Sequence, residues 1–397
     1  ECVSCTTIMR LSLRRQGERK QGLVMTDKIF IEAYNDAAAK VERNSGRIGL
    51  AFPQAVPDGE REYNREEPDY WTGGFWGGQL WLAYRALKKE PLRELARAIE
   101  EAQDVPLNEF TKLHHDVGFM WLPTAVLDYR LTGREESRVR GLKAAAILAS
   151  RFNLNGRFIR AWNEENRENS QGLAIIDCLM NLPLLYWASR ELNDPRYAQI
   201  ARAHTDTVLA HFVREDATVP HIVEFDAGTG AYRGPAVGQG KSPDSAWSRG
   251  QAWAVYGFAA AYRETGEACY LRTAERMAKR FFENLPEDGI PYWDFCSDEK
   301  DRYARDSTAA CVAASGMLEI AGLTKEDREK EYFTGCAGKI LENIITNVAD
   351  FGDDTQGIVR MGTVNYAQKR YINTSVIYGD FYFIEALGKM QGLTGAF

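Results

Sequence analysis

Along most of the chain, apolar residues recur at the three- and four-residue spacing of an amphipathic helix, interrupted by turn-forming residues. The first such stretch runs from Asp27 to about Arg43 and stops at Asn44-Ser45-Gly46. From there to about Pro68 the chain is polar and carries Pro53, Pro57 and Asp58-Gly59, the composition of a surface loop. Asp69-Tyr70-Trp71-Thr72-Gly73-Gly74-Phe75-Trp76-Gly77-Gly78 then leads into a helical pattern over 79–87. Thr72 is placed to cap it, and the glycines allow another backbone or a ligand to approach closely. Further helical stretches follow at roughly 91–103, 116–131, 136–152, 174–191, 195–212, 248–265, 268–284, 306–322, 327–348 and 376–391. Short runs at Arg157-Phe158-Ile159 and from His221 to Phe225 read as strands.

That makes about twelve helices, often paired in length, with no Pro/Gly/Ser-rich linker between them. The expected fold is a single all-α domain of repeated helical hairpins, for which an (α/α)6 toroid is the natural closed arrangement. Periodicity sets helices and pairs but not closure into a ring. Residues 1–24 are basic and lack a long apolar core, so they read as an extension, free to be disordered, rather than a secretory signal. The fold is expected to start at Met25 and to occupy 25–397.

Composition narrows the function classes. With 45% hydrophobic and 26% charged residues the chain is an ordinary globular one. The net charge of −7 argues against nucleic acid as partner. No segment has the roughly eighteen apolar residues of a membrane span. Seven scattered cysteines read as reduced thiols of a cytoplasmic protein, and Cys2 and Cys5 alone are a weak metal signal. Nine Trp and eighteen Tyr suit an aromatic-lined cleft, although a large helical core gives the same lean.

Chemistry is suggested at two carboxylates. Asp177 lies inside the run A-I-I-D-C-L-M-N-L-P-L-L-Y-W, where an isolated charge is costly, so it is either the first candidate for an acid of raised pKa or a buried Asp that only caps or bridges neighbouring helices. If the run is helical, Asn181 shares its face. Asp116, in L-H-H-D-V-G-F, either faces a cleft with His115 beside it or simply caps the next helix. Adjacent residues at a helix start are expected to diverge, so the His-His-Asp group is not read as a metal site. Aromatic residues precede each acid: Trp71, Phe75 and Trp76 before Asp116, and Trp162 before Asp177. A pyranose ring can pack on such faces, although core packing explains most aromatics. Arg249 and Trp253 lie one turn apart, a seat for an acidic sugar or a plain solvated stack. Gly234–Lys241 lacks the context of a phosphate loop, and no serine-hydrolase elbow, dinucleotide fingerprint or kinase set is present. Paired carboxylates, aromatic platforms and few cations fit carbohydrate chemistry.

The chain resembles glycoside hydrolase family 88, the unsaturated glucuronyl hydrolases. The motifs are W-T-G-G-F-W-G-G at 71–78, L-H-H-D-V-G-F at 113–119, I-I-D-C-L-M-N-L-P-L-L at 175–185, W-S-R-G-Q-A-W at 247–253, P-E-D-G-I-P-Y-W-D-F at 286–295 and I-Y-G-D-F-Y-F at 377–383. They run in order through nearly the whole chain after Met25. The resemblance implies an (α/α)6 barrel that removes a Δ4,5-unsaturated glucuronic acid from the non-reducing end of lyase-generated oligosaccharides, by hydrating the C4=C5 vinyl ether. Asp177 matches the general acid/base and Asp116 the second essential carboxylate. Trp71, His115, Trp162, His221, Gln239, Arg249 and Trp253 match pocket residues, with Arg249 for the substrate carboxylate. No metal or organic cofactor is implied, and the expected form is a monomer or weak homo-oligomer. Glycosaminoglycan fragments are the favoured substrates. The basic segment 365–371, with Lys369 and Arg370, could reach the leaving sugar or could be a plain exposed loop. The competing readings are an unsaturated rhamnogalacturonyl hydrolase acting on pectin fragments and a non-catalytic sugar-binding protein.

Overall fold

The structure is a computed structural model and describes residues 28–165, 167 and 170–397. The expected extension 1–24, with Cys2 and Cys5, and the start at Met25 lie outside the described residues. Within them run twelve long helices: α1 (28–48), α2 (Gly73–Leu87), α3 (Glu90–Ala102), α4 (117–132), α5 (Glu135–Ser150), α6 (Leu182–Leu192), α7 (Pro195–His211), α8 (Ser248–Thr265), α9 (Ala268–Glu283), α10 (Ser307–Leu323), α11 (Asp327–Asn347) and α12 (Ile377–Met390). A short helix, Asp104–Glu109, links α3 to α4. None of the described helices is long and apolar enough to cross a membrane.

Odd-numbered helices bury one stripe: in α9 it is Tyr270, Ala274, Met277, Ala278 and Phe281, three or four residues apart. Even-numbered helices are apolar nearly all round, with α10 buried from Ser307 to Met317 and α12 from Ile377 to Gly388. Such helices are stable only where neighbours cover every face. They therefore stand inside, α2 packed on α4, α4 on α6, α6 on α8, α8 on α10, α10 on α12, and α12 back on α2. Six inner helices within six outer ones form a closed ring, the (α/α)6 arrangement. Small residues permit the close approach. A Cβ on Gly74 would lie 2.4 Å from the carbonyl oxygens of both Phe119 and Met120, so α2 and α4 meet backbone to backbone.

Short antiparallel pairs decorate the ring: β1 (Phe52–Pro53) with β2 (Arg65–Glu66), and β3 (Phe152–Asn153) with β4 (Phe158–Ile159). A three-stranded sheet joins β5 (Leu173–Ile175), β6 (Ile222–Phe225) and β7 (Tyr232–Ala236), with Ala174 opposite Val223.

Several expectations need correcting. Helix α1 runs to 48, through the Asn44-Ser45-Gly46 expected to stop it, and residues 51–56 of the expected surface loop are buried. The stretch 174–191 is not one helix: Leu173–Ile175 is strand β5, Ile176–Met180 a tight turn of helix, and α6 starts at Leu182. A short continuous apolar run fits strand or helix equally, and Pro183, which lacks an amide hydrogen, suits a first turn rather than a helix interior. Helix α2 starts at Gly73, six residues earlier than the pattern suggested, because burial against the ring outweighs the low helix propensity of its glycines. Thr72 does not cap it; its hydroxyl donates to the Pro53 carbonyl at 3.4 Å.

Candidate active site

Because the hairpins alternate in direction, the inner helices all begin at the same end of the ring. The segments leading into them carry the residues picked out from sequence. Trp71 precedes α2, Asp116 precedes α4, Asp177 precedes α6, and Trp247 and Arg249 open α8. They converge on a cleft of about 830 Å³. The dipoles of the inner helices whose starts gather here give this end a positive potential, a setting suited to an anionic ligand.

Asp177 is 8% exposed, and the imidazole of His221 stands over it, Nε2 to Oδ2 3.3 Å. The Gln239 backbone N–H donates to His221 Nδ1 at 2.9 Å, so the ring proton lies on Nε2 and points at Asp177. Asp177 Oδ1 is buried and has no hydrogen-bond partner among the described residues. One oxygen of this carboxyl is thus held and the other is uncommitted.

Asp116 is 7% exposed. It occupies the N-cap position of α4 but makes no capping hydrogen bond, so the plain capping reading fails. Its Oδ2 lies 3.3 Å from His114 Nδ1, and its Oδ1 lies 3.4 Å from both His115 Nε2 and Asn181 Nδ2. Burial, reinforced by the nearby Asp177 charge, raises its pKa well above the usual aspartate range, against the opposing pull of Asn181 and Arg151. Burial holds His114 down to about 3 and His115 well below its ordinary value. Asp116 therefore sits among neutral partners.

Donor groups of His114, His115 and Asp116 fall within 4.8 Å of one another. The divergence expected from their adjacency does not occur, because the Asp116 carboxylate lies between the two rings. His115 also departs from its expected place: it is wholly buried behind Asp116, edge-on to Trp162, and it is His114 that faces the cleft.

Trp71, Trp162, His221, Gln239, Arg249 and Trp253 line the cleft. Trp71 packs on Tyr378 at 4.9 Å between ring centres, and Phe119 lies 5.1 Å from Trp253, which together make one aromatic wall. Trp162 forms another, 6.4 Å from His221. The Arg249 guanidinium lies 4.6 Å from the Trp247 ring centre. It donates to Asp306 (2.5 Å), to the carbonyls of Thr363 and Val364, and to Gln239 Oε1 at 3.0 Å. Burial works against its charge, but Asp306, Tyr378 and Asp177 together more than offset this and raise its pKa. Much of its donor capacity is thus spent in tying the 363–364 loop and Gln239 to α8.

Other lining residues were not singled out as site residues, among them Tyr70, His114, Phe119, Trp247, Arg167, Asn365, Gln368 and Arg370. Most stood inside the motifs or the basic segment already marked. Arg167, stacked over Trp162 at 5.3 Å, had no sequence signal at all. Arg370 reaches the cleft, whereas Lys369 lies over the Tyr366 ring.

Comparison with known proteins agrees with this fold. A 1.8 Å crystal structure of unsaturated glucuronyl hydrolase from Bacillus sp. GL1, responsible for the degradation of glycosaminoglycan, superposes with a TM-score of 0.88 at 35% identity, covering 92% of this chain and 98% of that one. The curated unsaturated glucuronyl hydrolase of Bacillus sp. (strain GL1) is 37% identical over 92% of this chain and 97% of its own length. An unsaturated chondroitin disaccharide hydrolase from Streptococcus pyogenes serotype M1 is 33% identical, covering 91% of each. The model of Glycosyl Hydrolase Family 88 matches residues 46–382, and the chain belongs to that family.

Proposed function

We propose that this glycoside hydrolase removes a Δ4,5-unsaturated glucuronic acid from the non-reducing end of lyase-generated oligosaccharides, by hydration of the C4=C5 vinyl ether. Asp177 delivers its carboxyl proton to C4, and positive charge develops at C5 and the ring oxygen. Water then adds to C5 and returns a proton to the Asp177 carboxylate. The resulting hemiketal opens and releases the remaining sugar, so one proton and one water balance the step. The observation that carries this reading is the uncommitted, buried Oδ1 of Asp177, whose other oxygen is held by His221. Asp116 orients the substrate and the acid. The aromatic walls hold the ring, while the Arg249 cluster and the helix starts attract the uronate carboxylate. Neither metal nor organic cofactor is assigned a part.

Glycosaminoglycan fragments are the proposed substrates, in keeping with the name of the streptococcal relative. Arg370, on the cleft rim, is a candidate contact for the leaving sugar. We place the protein in the cytoplasm as a monomer or weak homo-oligomer, consistent with the free thiols of Cys178, Cys269, Cys296, Cys311 and Cys336. The test is the ultraviolet absorbance of an unsaturated chondroitin disaccharide incubated with the protein. Steady loss is expected. Loss only with unsaturated rhamnogalacturonan disaccharide would move the substrate to pectin, and silence on both would overturn the proposal.

A further inference from the structure

Asp116 and Asp177 stand at the starts of different inner helices, so their relative position depends on how α4 and α6 are joined at their first turns. We propose that Asn181 is a positioning residue for the reaction, its carboxamide capping α4 from the neighbouring helix and thereby leaving Asp116 free to serve the cleft. The proposal rests on Asp116 and Asp177 being the reacting pair.

An aspartate at the N-cap position ordinarily accepts a hydrogen bond from the second or third amide of its own helix. Here the third amide of α4, that of Phe119, donates instead to Asn181 Oδ1 at 2.8 Å. That bond fixes which end of the carboxamide is oxygen. Nδ2 must then point the other way, where it lies 3.4 Å from Asp116 Oδ1 and 3.4 Å from the Asp177 carbonyl. Such long contacts are usual ahead of substrate binding. One side chain therefore touches α4, Asp116 and the Asp177 backbone at once.

Asn181 is itself immobilised. It is wholly buried, its N–H donates to the Cys178 carbonyl at 2.9 Å, and its carbonyl accepts from Leu184 at 3.2 Å. Helix α4 is pressed against it, because a Cβ on Gly118 would fall 2.5 Å from Asn181 Cα. A carboxamide is the required group: it supplies an acceptor for Phe119 and a donor for Asp116 without adding a charge beside two carboxylates.

Two variants test this. Asn181→Asp keeps the shape and the acceptor for Phe119 but replaces the donor with a negative charge. Asn181→Ser leaves a short side chain that does not reach Asp116. Both are expected to fold, with kcat lowered roughly tenfold or more and KM changed by less than about threefold. In both, the alkaline limb of the pH–kcat profile should move to higher pH, since ionised Asp116 has lost its donor. A folded variant with wild-type kcat and an unmoved limb would overturn the inference. So would a kcat that falls only in proportion to the folded fraction, with the limb unmoved, since that marks a merely structural role. Asp177→Asn in the same assay separates the two levels of the argument. If it keeps turnover, the reading of the reacting pair fails; if it is dead while the Asn181 variants behave as wild type, only the role of Asn181 fails.

Discussion

The catalytic proposal comes down to two aspartates that differ in their surroundings. Asp177 has one oxygen held by His221 and one uncommitted, so Asp177→Asn preserves shape while removing the transferable proton. We expect a folded variant with kcat reduced on the order of 10³-fold, measured by loss of substrate absorbance. Asp116 carries the pH dependence. Burial and the Asp177 charge both favour its protonated form, so the pair retains a proton above the usual aspartate range. The reaction needs a proton on the pair, so kcat/KM is expected to hold through that range and to fall as pH rises beyond it. In Asp116→Asn the residual activity should fall at lower pH, because the charge that raised the proton affinity is gone; a shift the other way would count against the assignment. Stability carries the linked sign. An acid whose folded pKa is raised binds more protons native than unfolded, so it destabilises the fold increasingly as pH rises from the unfolded pKa through the folded one. Asp116→Asn should therefore unfold at a higher temperature than the parent at neutral pH, with the gain shrinking towards acid.

At the scale of elements, the sequence was most legible where the apolar spacing was long and regular. All twelve helices were marked, and most matched within a few residues, although α1 runs through the Asn44-Ser45-Gly46 expected to stop it. The misreading around Asp177 came from a run too apolar to have a period: β5, a tight turn and α6 all ask for buried residues. Only Pro183 distinguished them, and only the pairing of Ala174 with Val223 decides the matter. Likewise Gly73, Gly74, Gly77 and Gly78 looked like a loop because their role is defined by a partner helix far along the chain. Gly74→Ala checks that role. Its Cβ meets two carbonyl oxygens of α4, and we expect a loss of about 1–3 kcal/mol, read from denaturant unfolding. A neutral effect would mean that α2 and α4 can separate at no cost.

For the molecule as a whole, helix number and pairing were legible but closure was not, because it depends on α12 meeting α2 across nearly the full length of the chain. The seam is fastened by buried polar groups. Lys40 of α1 is 1% exposed and donates to the carbonyls of Asp350 and Gly357, each at 2.7 Å. Asp380 of α12 accepts from Tyr63 and from the amides of Ile358 and Val359. Lys40→Met would leave two carbonyls without their donor, and we expect it to cost about 2–3 kcal/mol, with a lower Tm and still a single transition. A separate early transition would show instead that the seam opens on its own. The site was legible for the same reason that closure was hidden. Its residues cluster in short motifs at the helix starts, so Asp116, Asp177, Trp71, Trp162 and Arg249 could each be marked locally. Contributions from side chains with no local pattern, such as Arg167, became visible only once the ring brought the segments together.

Central to all of this is proton delivery to C4 by Asp177. The most direct test is the reaction of an unsaturated chondroitin disaccharide in deuterium oxide, with the product followed by NMR from the first turnovers. Deuterium entering C4 in step with sugar release, and neither occurring with Asp177→Asn, is the expected result. Sugar released from the wild-type protein while the double bond persists would mean attack at the anomeric carbon, and would contradict the mechanism.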